Sequence, residues 1–167
     1  MRLFHLKCII VSLFIFLFVR PCYGQDALSE SAQKKIDERK LQEFFTKNNI
    51  KPLKTASGLY YIITKEGSGR RILAGETVTV SYTGKLLDGT VFDSNTDTAF
   101  HHKAPFLFEV GKGGVIRGWE KGVQLLKNGA AATLYIPSVM AYGAYPPAHI
   151  PDNAILIFDM EITDVTR

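Results

Sequence analysis

Residues 113–129 read GGVIRGWEKGVQLLKNG and carry the clearest helical signal of the sequence. Between the glycines at either end, four large apolar residues recur at intervals of three, four and three: Ile116, Trp119, Val123 and Leu126. This spacing places all four side chains on one face of a helix. The stretch therefore predicts a short amphipathic helix with an apolar side that must be covered.

The segments around this helix have the alternating pattern of β-strands. Residues 76–82 alternate cleanly, with Val78, Val80 and Tyr82 on one predicted face and threonine or serine on the other. Asp88-Gly89 lies between two apolar pairs and is a hairpin turn signal. The further predicted strands are residues 59–65, 106–110, 132–136 and 155–162.

This pattern of one amphipathic helix among five or six antiparallel strands indicates an α+β fold. We expect the sheet to curl around the short helix, with a separate helical segment at the N-terminal side. The domain is expected to occupy residues 55–167, after a charged helical leader at residues 25–54.

The leader at residues 25–54 is polar and charged, with a partial helical stripe at Leu41, Phe44 and Phe45. We predict an isolated helix that ends at Asn48-Asn49. Two interpretations remain open, because the stripe is narrow. The helix is either a solvated leader tethered to the domain or an element through which two copies form a homodimer.

Residues 1–24 have the pattern of a secretory signal peptide. Basic residues precede an apolar run at residues 8–19, and cleavage is expected near the Gly24-Gln25 bond. The run is shorter than the about 20 apolar residues of a membrane-spanning helix. We therefore expect an exported chain with no stable membrane span after signal removal, and lipid attachment at Cys22 is a remote alternative.

Removal of the signal peptide would change the charge of the chain. Three of the 20 basic residues and none of the 16 acidic residues lie in residues 1–24, so the expected mature chain has 17 basic and 16 acidic residues. A nearly neutral chain does not point to a nucleic-acid partner. Cys8 and Cys22 would also leave with the signal, which excludes disulfide and thiol chemistry in the mature chain.

A series of short motifs along the chain resembles the FK506-binding family of peptidyl-prolyl cis-trans isomerases. The motifs are Tyr82-Thr83-Gly84 and the segments at residues 88–94, 105–108, 115–120, 136–138, 141–143 and 158–161. They occur in the family's order across residues 57–165. Residues 55–59 also resemble exported bacterial members, including those of the macrophage infectivity potentiator type.

The resemblance implies an apolar pocket with the Trp119 indole as its floor. The catalytic residues that it implies are Tyr82, Phe92, Asp93, Trp119, Tyr142 and Phe158. The substrate-binding residues that it implies are Phe106, Val115, Ile116 and Ile150, of which Ile150 lies in a loop of altered length. Tyr142 and the Ile116 backbone N–H would bind substrate carbonyls, while Asp93 would hold the pocket and polarise the amide. Gly114 stands where the family often has a polar residue that contacts ligand.

Isomerisation of an X-Pro bond requires no nucleophile, metal or redox group, because no covalent bond is made or broken. The barrier of about 18–20 kcal/mol comes from the partial double-bond character of the amide. An apolar aromatic box should favour the twisted amide, in which charge separation is lower. We expect no cofactor and no metal. The adjacent His101 and His102 make a poor metal site without an obvious third ligand.

These features together predict an isomerase that accelerates X-Pro isomerisation during the folding of exported proteins. Its expected partners are proline-containing polypeptides, and a macrolide inhibitor is a candidate ligand. The alternative is a non-catalytic chaperone or proline-peptide binding module on the same fold. The expected location is the periplasm or the outer face of the membrane, with a eukaryotic secretory lumen less favoured.

Overall fold

The computed structural model of the protein describes residues 23–100 and 104–167, with side chains described from residue 30 onward. Residues 1–22 of the predicted signal peptide and the His101-His102 pair lie outside these ranges. Within the described ranges, no helix is both long enough and apolar enough to cross a membrane.

Residues 23–100 and 104–167 form a seven-stranded antiparallel sheet, a two-stranded sheet and two α-helices. The helices are α1 (Tyr23–Asn48) and α2 (Arg117–Val123). The strands are β1 (Leu53–Lys54), β2 (Tyr60–Lys65), β3 (Ser68–Arg71), β4 (Thr77–Leu86), β5 (Val91–Ser94), β6 (Phe106–Glu109), β7 (Lys127–Asn128), β8 (Ala131–Ile136) and β9 (Leu156–Thr166). The predicted α+β fold, with an antiparallel sheet, one short internal helix and an N-terminal helix, is confirmed.

The large sheet has the strand order β1-β2-β8-β9-β4-β5, and β6 also pairs with β4. The two-residue strand β1 brings the sheet to seven strands, one more than the upper expectation. Strands β3 and β7 form the small sheet, and the sequence pattern did not predict them. Both are short and polar, so their pairing is visible only once the chain has brought them together.

Strand β4 is the strand from which the site is built. Val78, Val80 and Tyr82 are buried, as their alternation predicted. The strand continues four residues beyond the predicted end at Tyr82, because its last residues, up to Leu86, pair with the start of β9.

Helix α2 packs against β8 through its two glycines. A Cβ atom on Gly118 would collide with Ile136, and one on Gly122 would collide with Leu134. The helix is shorter than its apolar pattern suggested. Ile116 only precedes it, and Leu126 follows it in a turn that leads to β7.

Helix α1 packs on the opposite face of the sheet from α2. Successive side chains of a strand point to opposite faces, and on β9 Ile157 contacts the α1 cluster while Phe158 belongs to the main core. Leu41 is completely buried and Phe45 is 4% exposed. The helix ends at Asn48, as predicted.

Of the two interpretations of this segment, the solvated leader is therefore wrong for the part of α1 that contacts the sheet, and the homodimer through this helix stays a prediction. The apolar stripe is narrow because polar side chains complete the contact. Asp37 is completely buried, and Gln42 donates a hydrogen bond of 2.8 Å to the Tyr60 hydroxyl. Sequence patterns of apolar residues do not register such contacts.

Candidate active site

A cavity of about 190 Å³ opens between the sheet, helix α2 and two loops. Its lining consists of Tyr82, Phe92, Asp93, Phe106, Gly114, Val115, Ile116, Trp119, Tyr142 and Phe158. The structure thus brings together nine of the ten site residues predicted from the sequence, and adds Gly114.

Ile150 is the predicted site residue that does not line the cavity. It is 6% exposed and packs in the main core, and its N–H donates to the Pro147 carbonyl at 2.9 Å. Its place in the fold is therefore that of a core residue beneath the loop that follows Tyr142.

The floor of the cavity is the Trp119 indole, which is 5% exposed. The rings of Tyr82, Phe158 and Phe106 stand nearly perpendicular to it, at interplanar angles of 81°, 87° and 88° and centroid distances of 5.0, 5.1 and 5.8 Å. Edge-to-face contacts of this kind are favourable for aromatic rings. Together they form an apolar box over the indole.

The Trp119 Nε1 atom is buried and has no hydrogen-bond partner within residues 23–100 and 104–167. A buried donor without a partner carries a desolvation cost. The floor of the box thus presents a ring face and no charge.

One wall of the box depends on a glycine. Phe92 and Phe158 meet edge to face, with ring centroids 5.6 Å apart. A Cβ atom on Gly84 would lie 2.7 Å from Phe92 and 2.8 Å from Phe158. Only glycine therefore lets both rings approach β4 this closely.

The polar pair of the cavity is Tyr82 and Asp93. The Tyr82 hydroxyl donates a hydrogen bond of 2.7 Å to Asp93 Oδ2. Burial first, and this hydrogen bond second, raise the pKa of Tyr82 well above its ordinary value. The phenol therefore stays protonated and fixes the carboxylate at the edge of the box.

Asn95 binds the backbone of the strand that carries Tyr82, and it was not predicted from the sequence. Its Oδ1 atom accepts the Tyr82 backbone N–H at 2.7 Å, and its Nδ2 atom donates to the Val80 carbonyl at 2.9 Å. The side chain is 6% exposed. The Asn95 side chain takes the place of a pairing strand at the part of β4 that lies between its pairings with β5 and β6. No local sequence signal predicts an asparagine in that role.

Tyr142 lies at the rim and is 39% exposed. Burial of its hydroxyl end, and then the negative charge of Asp93, raise the pKa of Tyr142. The hydroxyl is therefore a hydrogen-bond donor at neutral pH. A short 3-10 helix at Ser138–Met140 carries the chain into the turn that presents it.

Glu120 fixes the loop on the other side of the rim. Its carboxylate accepts the backbone N–H groups of Gly111 at 2.6 Å and Gly113 at 2.9 Å. This loop leads directly to Val115 and Ile116 in the lining. Trp119 and Glu120 both donate their N–H groups to the Ile116 carbonyl, at 3.0 and 3.2 Å, so the start of α2 is also fixed.

Residues 23–100 and 104–167 contain no group of three or more histidine, cysteine or acidic side chains placed to hold an ion. The cavity is lined mainly by rings and aliphatic groups, which suit an uncharged ligand segment.

Comparison with known proteins decides the family. A sequence model of the FKBP-type peptidyl-prolyl cis-trans isomerases matches residues 69–163, more than half of the chain. The chain belongs to this FKBP-type isomerase family. The resemblance noted in the sequence is confirmed.

The related FKBP-type proteins include bacterial sequences. The probable FKBP-type peptidyl-prolyl cis-trans isomerase FkpA of Neisseria meningitidis serogroup B is 43% identical over 135 residues, which are 80% of this chain and 47% of that protein. The FkpA of Aeromonas hydrophila is 38% identical over 133 residues, 78% of this chain and 47% of that protein. The chain spans about half the length of these curated relatives.

Solved FKBP structures have the same fold. The crystal structure of FkpA from Escherichia coli superimposes with a TM-score of 0.67 at 32% identity, over 84% of this chain and 64% of that one. The crystal structure of AtFKBP13 gives a TM-score of 0.61 at 30% identity, over 68% of this chain and 98% of that one.

Proposed function

We propose that this chain is a peptidyl-prolyl cis-trans isomerase that accelerates X-Pro isomerisation during the folding of exported proteins. The observation that carries the proposal is the apolar aromatic cavity over Trp119, with the Tyr82–Asp93 pair and the Tyr142 hydroxyl at its edge. Family membership adds independent support.

The cavity has a suitable size and polarity for proline. A dry cavity of about 150 Å³ accepts a benzene ring, and this one is about 190 Å³. The ring of a proline residue would lie on the Trp119 indole with its flanking backbone at the rim. Such a site would bind the proline ring and leave the amide of the X-Pro bond next to the Tyr82–Asp93 pair and the Tyr142 hydroxyl.

The box would favour the twisted amide over the planar one. Twisting removes amide resonance and reduces charge separation, so a desolvated apolar environment stabilises the transition state relative to the ground state. An acceleration of roughly 10⁴-fold needs about 5.4 kcal/mol of such differential stabilisation. Desolvation, shape and one or two hydrogen bonds are together of that order.

The polar groups would orient the substrate. Tyr142 would donate its hydroxyl to a substrate carbonyl, and the Ile116 backbone N–H would bind another. Asp93, held by Tyr82, would polarise the amide rather than act as a general acid, because no proton transfer is needed to rotate a bond.

Export is the second part of the proposal and rests on the sequence of residues 1–24. A basic start, a short apolar run and a small residue at the expected cleavage site describe a secretory signal. We propose the periplasm or the outer face of the membrane as the place of action. Detection of a chain that begins at Gln25 outside the cytoplasm would support this location, whereas an uncleaved chain in the cytoplasm would contradict it.

The activity is tested by the cis-to-trans rate of a proline tetrapeptide with the purified full chain. Tyr142→Phe and Asp93→Ala should each lower the rate, and a macrolide should block it. Tyr145→Phe is the matched control, because Tyr145 is 93% exposed and does not line the cavity. It should retain the wild-type rate.

Absence of acceleration by a folded chain would overturn the enzyme assignment. The alternative, a chaperone or binding module that holds proline peptides without turnover, would then be favoured if peptides still bind. Equal rates for Tyr142→Phe, Asp93→Ala and Tyr145→Phe would show that the activity does not use this cavity.

A further inference from the structure

Asp37 of helix α1 is a buried carboxylate outside the cavity, and the isomerase mechanism does not use it. The side chain is completely buried. Its Oδ2 atom accepts two hydrogen bonds from one residue, from the Ser138 N–H at 2.8 Å and from the Ser138 hydroxyl at 2.7 Å. Its Oδ1 atom accepts a bond of 2.8 Å from Gln33 Nε2. A buried carboxylate is costly unless it is hydrogen-bonded in this way, so the contact with Ser138 is specific.

Ser138 connects this contact to the rim of the cavity. Its carbonyl accepts the N–H groups of Ala141 and Gly143, both at 3.0 Å. These two residues bracket Tyr142. Ser138 therefore binds helix α1 through its N–H and hydroxyl, and the turn that carries Tyr142 through its carbonyl.

The turn is fixed on two sides. On the inner side, Ile136 packs against Gly118 of α2, and Met140 is 3% exposed in the main core. On the outer side, the hydrogen bonds from Ser138 to Asp37 hold it. Because Tyr142 is 39% exposed, packing holds it less firmly than the buried Trp119, and the turn contributes to its position.

We propose that Asp37 is a positioning residue for Tyr142, and that docking of α1 through the Asp37–Ser138 contact holds the rim of the cavity in the geometry that binds the substrate carbonyl. This inference rests on the proposed isomerase function. The N-terminal helix would then affect substrate binding at the cavity without contacting the substrate.

Two substitutions at Asp37 distinguish the effect of its hydrogen-bond acceptor from the effect of the rest of the side chain. Asp37→Ala removes both bonds to Ser138. Asp37→Asn keeps one oxygen to accept them, and Gln33 can turn its amide to accept from the new NH₂ group. The alanine variant should therefore lose the positioning effect, and the asparagine variant should retain most of it.

The matched control is Tyr60→Phe. The Tyr60 hydroxyl donates to Glu38 and accepts from Gln42, two residues of the same helix as Asp37. Its loss weakens the attachment of α1 and leaves the Ser138 bonds intact. It separates a general loss of stability from a specific effect on Tyr142.

The experiment measures kcat and KM for a proline tetrapeptide with the full chain, and amide hydrogen exchange at Ala141 and Gly143. Asp37→Ala should lower kcat/KM by about tenfold, because small misplacements of a binding group have effects of this size or larger. The loss should fall mainly on KM, since Tyr142 would bind the carbonyl in both the ground and transition states. Exchange at Gly143 should become faster. Asp37→Asn and Tyr60→Phe should remain close to wild type in both measurements.

The inference is overturned if Asp37→Ala keeps the wild-type kcat/KM and exchange rates, or if Tyr60→Phe shows the same loss as Asp37→Ala. If Asp37→Ala does not fold, Ser138→Ala removes the hydroxyl bond alone and should give a smaller loss in the same direction. If the wild-type chain has no isomerase activity, the proposed function fails. Exchange at Gly143 then still tests the positioning effect on its own.

Discussion

The two faces of the large sheet carry aromatic clusters with nearly the same geometry and different consequences. On the α1 face, the helix cluster consists of Phe44, Phe45, Tyr60 and Tyr135. On the α2 face, the cavity cluster consists of Tyr82, Phe92, Phe106, Trp119 and Phe158. Phe45 and Tyr135 meet at 5.0 Å and 84°, and Tyr82 and Trp119 at 5.0 Å and 81°.

The difference between the clusters lies in what covers them. The long helix α1 buries its rings, so that Phe45, Tyr60 and Tyr135 are at most 5% exposed. The seven-residue helix α2 leaves a cavity, with Phe106 still 40% exposed at its rim. Ring chemistry alone therefore does not identify a binding site, because the same contacts serve stability where they are covered and recognition where they are left open.

The largest effect is expected for Phe45→Ala in the helix cluster. Removal of a buried phenylalanine ring should lower the free energy of unfolding by about 3–5 kcal/mol. The kcat/KM of the folded fraction should change little, because Phe45 does not line the cavity and the Asp37–Ser138 bonds remain. Urea unfolding and tetrapeptide kinetics at low temperature measure the two quantities. A large fall in kcat/KM would show that the cavity depends on the whole α1 contact rather than on Asp37.

Phe106→Ala in the cavity cluster should have the opposite profile. The ring is 40% exposed, so the free energy of unfolding should fall by only about 1 kcal/mol. The kcat/KM should fall about tenfold, equivalent to about 1.4 kcal/mol of transition-state stabilisation. Leu107→Ala is the control, since Leu107 is more exposed and does not line the cavity. If both variants keep full activity, the open rings do not contribute to recognition.

The smallest effect is expected from Glu76, which belongs to neither cluster. Hydrogen bonds from the Arg70 guanidinium and then from the Leu73 N–H lower the pKa of Glu76 from 4.5 to about 2. Because the folded-state pKa is lowered, its stabilising contribution is present above about pH 4.5 and is lost as the pH falls towards 2. Glu76→Gln should make the decline of unfolding free energy over that range shallower, without changing kcat/KM at neutral pH. Arg70→Gln should act in the same direction, and a slope equal to wild type in both variants would contradict this account.

The cavity cluster could be predicted from the sequence, and the helix cluster could not. Short motifs such as those around Phe92 and Trp119 resemble a known family. Nine of the residues that this resemblance implied line the cavity. In the sequence, a narrow apolar stripe that includes Leu41 and Phe45 is the apolar signal of the contact between α1 and the sheet. A sequence reading places an aspartate such as Asp37 in solvent, because unpaired acidic residues are rarely buried.

The remaining misses share a physical cause. Asn95 and Ser138 act through polar bonds to residues distant in the sequence, and a polar residue gives no signal of its future partner. The pairing of Ser68 in β3 with Asn128 in β7 likewise depends on tertiary proximity. Ile150 lies in a loop whose length differs from the family pattern. The position of its side chain therefore did not follow from the resemblance.

Strand β9 comes after the other described strands in the sequence, yet it lies inside the large sheet, between β8 and β4. Its neighbouring residues Ile157 and Phe158 lie on opposite faces of the sheet, Ile157 beside the helix cluster and Phe158 in the cavity cluster. The packing on both faces therefore cannot be completed before β9 is available, and pairings so distant in sequence form slowly. For a chain that we propose is exported, this order of assembly would delay folding of the domain until β9 has been synthesised.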